Sequence, residues 1–287
     1  MSIVGVVGEL WRFPFKSMAG ETLDGAWVGT DGIAGDRGWA LRDEKAGEVR
    51  GAKKLPRLLG CSARYVGELR AGETTPVRIE LSDGQTFEST DADASRRLSD
   101  FLGREVSVWP RQPASDRDHY RRGLPDEADF EQELRQIFGR TSDEPLPDLT
   151  MFDPELMEFT SPLGTYFDAL PLHLLTTATL ERLTKLNDTA KFDRRRFRPN
   201  VFITTPAGAS GFVETDWCGR SLEIGHAVIR CEMPTVRCSM TTQEQDGLPK
   251  DPSVLRTIVR DANQNAGVYA SVIRPGRVAV GDEVRLV

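Results

Sequence analysis

Four short segments of the chain place ionic, nucleophilic or metal-binding side chains together. In the first, FPFKSMAGE, Lys16 and Ser17 directly follow an apolar stretch, so a point charge and a hydroxyl stand where a strand gives way to a loop. Such a step can bind an anion, and equally can be a solvated lysine in a turn. The second, GTDGIAGDRGWAL, holds Asp36 and Arg37 among glycines that let the backbone turn sharply; a turn closed by an Asp–Arg ion pair is the plainer reading. The third, KFDRRRFRPNVFI, gathers Lys191, Arg194, Arg195, Arg196 and Arg198 in an otherwise acidic chain. Guanidinium forks suit phosphates and planar anions because they offer paired, permanently charged donors. A solvated run is the alternative, but Arg198-Pro199-Asn200 leads straight into an apolar strand, so these side chains cannot all be freely exposed. In the fourth, RCEMPTVRCSMTT, Arg237 precedes Cys238 and its charge favours the thiolate needed for metal ligation or sulfur transfer. A lone cysteine after a strand is also a common small buried hydrophobe, which is the reading for Cys218 and Cys231.

The elements that must position these segments are mostly strands in the first hundred residues. Ile3–Phe13, Thr22–Gly29 and Gly38–Arg42 are β-branched or aromatic and separated by Gly or Asp turns, as in a meander or barrel. Val77, Ile79 and Leu81 alternate with polar residues before Asp83-Gly84, which supplies the positive φ angles of a tight hairpin turn. Ala94, Leu98, Phe101 and Leu102 share a helical face that Gly103 can end in a left-handed cap, and a strand over Glu105–Trp109 follows. Between Pro110 and Pro162 the sequence turns charged and proline-containing, with one amphipathic helix in which Phe130, Leu134, Ile137 and Phe138 share a face before Gly139. Beyond it come a helix over Ala178–Leu186, a strand over Val201–Thr204, strands within Ser221–Glu232, a helix over Pro252–Ala262, and a closing pair at Gly267–Ile273 and Arg277–Val287.

The chain has 287 residues, enough for one large domain or two closely packed ones, and 37 Lys+Arg against 44 Asp+Glu give a net charge of −7. That balance supplies no global attraction to nucleic acid or anionic lipid. No run approaches the roughly 18 apolar residues of a membrane helix, and no basic leader with a cleavage site opens the chain, so the expectation is a soluble, cytoplasmic protein. Four unevenly spaced cysteines do not make a disulfide framework, and without CxxC or paired histidines a structural zinc site is not expected. There is no GxSxG elbow, GxxxxGK[ST] phosphate loop, HExxH or GxGxxG turn.

In their order and spacing the four segments resemble the MOSC family, named for the C-terminal domain of molybdenum-cofactor sulfurase. The likeness is strongest to its long members with an N-terminal MOSC β-barrel domain, the amidoxime-reducing components and their bacterial relatives. It rests on Phe13-Pro14-Phe15-Lys16-Ser17, Gly35-Asp36-Arg37, Arg198-Pro199-Asn200, Trp217-Cys218-Gly219, Ile224-Gly225 and Arg237-Cys238, and so spans both ends of the chain. The resemblance implies an α+β, β-rich fold. An N-terminal MOSC β-barrel domain over residues 1–110 would pack on a C-terminal MOSC β-barrel-like domain with peripheral helices over 111–287, the latter with a variable insertion at about 111–162.

It also implies a molybdenum cofactor (molybdenum-molybdopterin), with Cys238 as the metal ligand and Lys16, Ser17, Arg37, Arg198 and Arg237 as contacts of the anionic pterin. Thr176 and Thr177, opening a helix, would lie near its phosphate. Tyr269 would line the pocket, and Asp36 and Asn200 would hold Arg37 and the cofactor in place. Many members read Pro-Cys-x-Arg-Cys where this chain has Thr235 after Pro234, which removes an accessory thiol but leaves the proposed ligand. The implied activity is reduction of N-hydroxylated compounds. Four cysteines cannot supply both a metal ligand and a Cys₄ iron–sulfur centre, so electrons would come from a separate ferredoxin- or cytochrome b5-like donor. Two other readings stay open: a sulfur carrier with a persulfide on Cys238, and a cofactor-binding protein without turnover. The 111–162 segment, which matches the better-known members least, is expected to form a lid or substrate wall.

Overall fold

The computed structural model describes residues 2–70, 73–123, 126–127 and 129–287. The chain opens with strands β1 (Ser2–Arg12), β2 (Glu21–Leu23), β3 (Gly25–Gly29), β4 (Gly32–Ile33), β5 (Trp39–Asp43) and β6 (Glu48–Arg50). Next come β7 (Ser62–Tyr65), β8 (Val77–Glu80), β9 (Thr86–Glu88), helix α1 (Ala94–Leu102) and β10 (Val106–Pro110). Among the described residues the middle segment holds the short helices α2 (Arg117–Tyr120), α3 (Phe130–Phe138) and α4 (Glu155–Glu158). The remainder runs β11 (Leu172–Thr176), α5 (Thr177–Leu186), β12 (Val201–Thr204), β13 (Ser221–Ile224), β14 (Ala227–Val236), α6 (Pro252–Asp261), β15 (Asn265–Arg274), β16 (Gly276–Ala279) and β17 (Glu283–Leu286). No described helix is long and apolar enough to cross a membrane.

Seven strands close into a barrel in the order β12-β11-β15-β14-β13-β17-β1, sealed by the pairing of β1 with β12. Strand β1 makes this closure because it changes partner along its length. Ser2–Val6 pairs with β17, Val6–Leu10 with β12, and Leu10–Arg12 with β2. The register shifts fall at Ile3/Gly5 and Val7/Glu9. A Cβ on Gly5 would stand 2.6 Å from Ile203 Cγ2 and one on Gly8 2.5 Å from Thr204 Oγ1, so the two bulges need glycine where the strands crowd. Val7, Leu10, Leu174, Ile203, Leu222, Ile229 and Val268 are among the side chains that fill the barrel.

Three smaller sheets, β10-β5-β6, β16-β3-β4 and β7-β8-β9, build the rest of the N-terminal half around a second core of Phe15, Met18, Trp39, Leu58, Ile79 and Phe101. The fold is thus α+β and β-rich. Strand β3 pairs with β16 from the far end of the chain, so the N-terminal half meets the C-terminal strands at two places, through β1 and through β3. Gly103 ends α1 in the left-handed conformation, as its sequence predicts, with φ 65°.

Two local expectations need correction. In the β8–β9 hairpin only Gly84 is left-handed (φ 88°), because the Asp83 carboxylate instead accepts from the Gln85 N–H at 3.1 Å and stabilises the turn through its side chain. The closing pair over Gly267–Ile273 and Arg277–Val287 does not form. Strand β15 pairs with β11 and β14, while the last segment divides into β16, taken by β3, and β17, taken by β1 and β13.

Candidate functional site

A cavity of about 330 Å³ lies beside one end of the barrel, and three of the four chemistry-bearing sequence segments face it directly, with the Arg37 end of the fourth. Lys16, Ser17, Arg37, Arg198, Asn200, Arg237, Cys238 and Tyr269 all line it. Backbone conformation marks the same residues. Among the described residues five other than glycine have positive φ, and three of these are Ser17 (73°), Arg37 (50°) and Arg198 (56°). Left-handed backbone at non-glycine residues is uncommon and persists where surrounding structure over-determines it.

Each of these turns is held by identifiable bonds. The buried Asp36 carboxylate accepts from the Phe13 N–H at 2.7 Å, from Asn200 Nδ2 at 3.0 Å and from the Arg37 guanidinium. Asn200 in turn accepts through Oδ1 from the His173 N–H and donates from Nδ2 to the Trp11 carbonyl, tying the Asp36 loop to β1 and β11. Asp36 therefore lies behind the cavity wall and acts by positioning, and Asn200 does the same while also reaching the wall. Ser17 Oγ accepts from the Ala52 N–H at 2.8 Å, which docks the Gly51–Lys54 loop at the cavity. The Phe13 ring carries two guanidinium groups, Arg198 at 4.1 Å from its centroid and Arg37 at 5.3 Å.

Electrostatics at this site are one-sided. Lys16, Arg37, Lys53, Arg198 and Arg237 line the cavity, and Asp168 pairs with two of them, Lys16 at 3.1 Å and Lys53 at 3.6 Å. Burial alone would push the Asp168 carboxyl up, but Lys16, Lys53 and Arg37 together hold it well below the usual carboxylate range. Burial, and then the neighbouring Arg37, pushes the Arg198 guanidinium down to about 9. Burial likewise lowers Lys16 and Arg237. Arg198 Nη2 and Arg237 Nε are buried with no hydrogen-bond partner. An unpaired buried donor costs about 1–3 kcal/mol, more when charged, so these two nitrogens hold donor capacity that the polypeptide does not satisfy.

Cys238 is the one cysteine at the cavity. Cys61 and Cys231 are buried elsewhere, and burial pushes their thiols up to about 11 and about 12 respectively. Cys238 begins a short 3₁₀ turn, Ser239–Thr242, at the end of β14. Arg196, wholly buried, clamps the segment that follows by donating to the carbonyls of Thr241, Gln243 and Pro249.

The basic run accordingly divides by task. Arg194 pairs with Glu9, Arg195 with Asp193 and Lys191 is exposed; Arg196 and Arg198 both line the cavity, but the Arg196 guanidinium is taken up by backbone carbonyls while Arg198 keeps an unpartnered nitrogen. Thr176 and Thr177 do not line the cavity, against expectation. Thr176 caps α5 through the Thr179 N–H and donates to Glu214 Oε2 at 2.7 Å, while Thr177 Oγ1 bonds Thr205. Their hydroxyls are spent on the helix start and a buried carboxyl.

Three cavity residues carry no local signal in the sequence: Lys53, Asp168 and His173. His173 Nε2 stands 3.4 Å from Arg237 Nη1, and burial followed by that positive charge holds the imidazole well below its ordinary value, hence neutral. Its ring tilts against Tyr269, whose hydroxyl burial pushes up to about 12. His173 lies on β11, a strand that the sequence reading did not identify and whose residues are all buried.

The residues present suit an anionic cofactor with a metal that takes one protein thiolate. Lys16, Arg37, Arg198 and Arg237 line one cavity with Cys238, two of these arginines each keep an unpartnered nitrogen, and left-handed turns set Arg37 and Arg198. Among the described residues no three His, Cys, Asp or Glu side chains cluster to form a metal site of their own.

Comparison with known proteins agrees with this arrangement. The family model of the MOSC N-terminal beta barrel domain matches residues 4–115, and that of the MOSC domain residues 165–285. Mitochondrial amidoxime-reducing component 1 of Mus musculus is 26% identical over 326 residues, covering 99% of this chain and 82% of its own length. Mitochondrial amidoxime reducing component 2 of Bos taurus is 28% identical over 310 residues, covering 98% and 83%. A crystal structure of the YUAD protein from Bacillus subtilis aligns over 99% of this chain and 96% of its own with a TM-score of 0.45 and 13% identity, a likeness too distant to bear on function. With both domain models matched in order, and Lys16, Ser17, Arg37, Arg198, Asn200, Arg237, Cys238 and Tyr269 falling in the two matched regions, the chain belongs to the MOSC family, in the form that carries the MOSC N-terminal beta barrel domain.

Proposed function

We propose that the protein binds a molybdenum cofactor in this cavity and reduces N-hydroxylated compounds with electrons from a separate ferredoxin- or cytochrome b5-like donor. The observation that carries the reading is the convergence of Cys238 with two buried, unpartnered guanidinium nitrogens, on Arg198 and Arg237, in one cavity. The names of the relatives, amidoxime-reducing components, supply the reaction class.

In this reading the Cys238 thiolate holds the metal, and Lys16, Ser17, Arg37, Arg198 and Arg237 hold the anionic pterin through charge-assisted hydrogen bonds. When bound, the cofactor supplies the two-electron redox centre at which the N–O bond is cleaved. Balanced, a hydroxylamine-type nitrogen takes up two electrons and two protons and leaves as the amine, with water released. Asp36 and Asn200 fix the Arg37 turn. Tyr269 and the neutral His173 enclose the site beside Arg237, excluding water without adding a further charge. Lys53, paired with Asp168 at the cavity edge, is positioned to hold an exchangeable proton at Nζ.

Protein purified from a host that makes the cofactor tests this through molybdenum and pterin measured per chain, beside Cys238→Ser. Near-stoichiometric metal in the wild type and its loss in the variant are expected, with N-hydroxy reduction supported by a supplied donor. A variant fully loaded and fully active removes Cys238 from its role. Sulfane sulfur on Cys238 without molybdenum replaces the reading with a sulfur carrier, and pterin bound without reduction replaces it with a non-catalytic binder.

A further inference from the structure

The cavity has a second face that the cofactor reading does not use. Helix α3 carries Phe130, Leu134, Ile137 and Phe138 on one side, yet none of its residues is buried. Those four side chains line the cavity, joined from the region of α4 by Leu156 and Met157. Phe130 stays 56% exposed and Met157 51%. An amphipathic helix normally buries its apolar stripe in a core; here the stripe faces a cavity whose opposite wall is cationic.

This wall is built into the fold. Gly139 ends α3 with φ 63°, and a Cβ there would meet Ser239 Cα at 3.2 Å, so the helix end sits directly on the segment that follows Cys238. Ser239 Oγ donates to the Ile137 carbonyl at 2.9 Å, and Arg140 Nη2 donates to the Arg237 carbonyl at 3.0 Å. On the other side Lys54 bonds Glu133 at 2.8 Å and Arg50 bonds Asp126 through both guanidinium ends. Arg122 is taken up by the carbonyls of Leu156 and Phe159. The wall's charges are thus paired with one another or with backbone, apart from Glu133 Oε2, which is buried without a hydrogen-bond partner, and the α3 stripe it presents to a ligand is hydrocarbon.

We infer that this wall is the substrate-tail site, and that the substrate is an N-hydroxylated compound with an uncharged hydrocarbon tail lying along α3. The inference rests on the reductase reading for its head group, while the tail site follows from the apolar face and the committed charges. Burying one methylene strengthens binding roughly fourfold, so affinity climbs with tail length until the wall is covered.

The test uses the cofactor-loaded protein and two ligand series with two- to eight-carbon tails. The first is N-hydroxyamidines, assayed for reduction. The second is neutral alkanamides, which have no N–O bond to reduce and are measured by calorimetric binding. Wild type should show an increase of roughly fourfold per methylene in alkanamide affinity and a parallel fall in KM with kcat little changed. Leu134→Ser and Ile137→Ser should each flatten that gradient to about twofold or less while molybdenum content and circular dichroism stay at wild-type values. Met157→Gln, on an exposed position of another helix, serves where an α3 variant fails to fold. Affinity independent of tail length, or a gradient unchanged in all three variants, overturns the tail site. Octanoate binding more tightly than octanamide overturns it in favour of an anionic amphiphile. Alkanamides bound with the gradient but N-hydroxyamidines left unreduced sustain the tail site and remove the reductase reading. Reduction at equal kcat/KM for all lengths does the reverse.

Discussion

Replacing Arg198 with methionine should leave the cofactor-free protein almost as stable while sharply weakening its hold on the cofactor. In the cofactor-free protein Arg198 is buried, Nη2 has no partner, and Arg37 stands close enough to help push the guanidinium down to about 9. Removing an unsatisfied buried donor recovers about 1–3 kcal/mol. Losing the stacking over Phe13, at 4.1 Å, costs about 1–2 kcal/mol for a desolvated pair. Methionine keeps an unbranched stem in the same space, and the left-handed backbone is unchanged. These contributions nearly cancel, so the melting temperature of the cofactor-free protein should move by a few degrees at most. Toward the cofactor, one charge-assisted hydrogen bond is worth about 1.5–3 kcal/mol, which weakens retention roughly 10- to 150-fold. The assay is molybdenum and pterin remaining per chain through a dilution series, beside calorimetric melting of cofactor-free protein. Arg195→Met is the control, because Arg195 is already paired with Asp193 away from the cavity. Cofactor-free Arg198→Met destabilised by more than about 4 kcal/mol with wild-type retention would make Arg198 a structural post and refute the reasoning. Equal retention in the two variants would refute it as well.

Asp36→Ala strips the Phe13 N–H, Arg37 and Asn200 of a shared buried acceptor, and breaking a buried pair in this way should cost about 3–5 kcal/mol in urea unfolding; a loss below about 1 kcal/mol would mean Arg37 is satisfied by water. Glu214 is buried with Oε1 unpartnered, and burial raises its carboxyl despite bonds from Thr179 and Thr176. A raised folded-state value means that the native protein holds the proton more tightly than the unfolded chain, so stability falls as pH rises through the ordinary glutamate range. Glu214→Gln should remove that fall, and an unchanged pH–stability profile would contradict it. Asp126 goes the other way: burial opposes ionisation, but Arg50 and Lys54 win and bring it down to about 2. Its contribution is present above the ordinary aspartate range and lost as pH falls from there toward 2. Because the carboxylate is 35% exposed, solvent screening keeps the effect below about 1 kcal/mol. Limited proteolysis of the 111–162 segment should therefore quicken modestly in acid and in Asp126→Asn at neutral pH; identical rates in wild type and variant would dismiss the Arg50–Asp126 tie.

Local chemistry made several parts of this protein legible in its sequence. Glycine takes the left-handed caps at Gly103 and Gly139 without a Cβ penalty, alternation marks β8, and a 3.6-residue apolar period marks α1, α3 and α6. Lys16, Arg37, Arg198 and Cys238 are conspicuous because cations and a thiol at strand ends are costly to leave unexplained. Tertiary structure decided which of these side chains meet. Arg194, Arg195, Arg196 and Arg198 are nearly equivalent in a linear reading, and the left-handed turn at Arg198 together with the Phe13 ring is what sends that one into the cation cluster. Thr176 and Thr177 have the right types at a helix start, but Glu214 and Thr205, far along the chain, claim their hydroxyls. Lys53, Asp168 and His173 become site residues only through long-range closure, since a charge acquires its role from neighbours within a few ångströms that the sequence sets 64 or more positions away. The same holds for the strands: periodicity shows that β1 and β17 exist, whereas their pairing depends on bulges at crowded glycines and on a barrel that must close to leave no open edge.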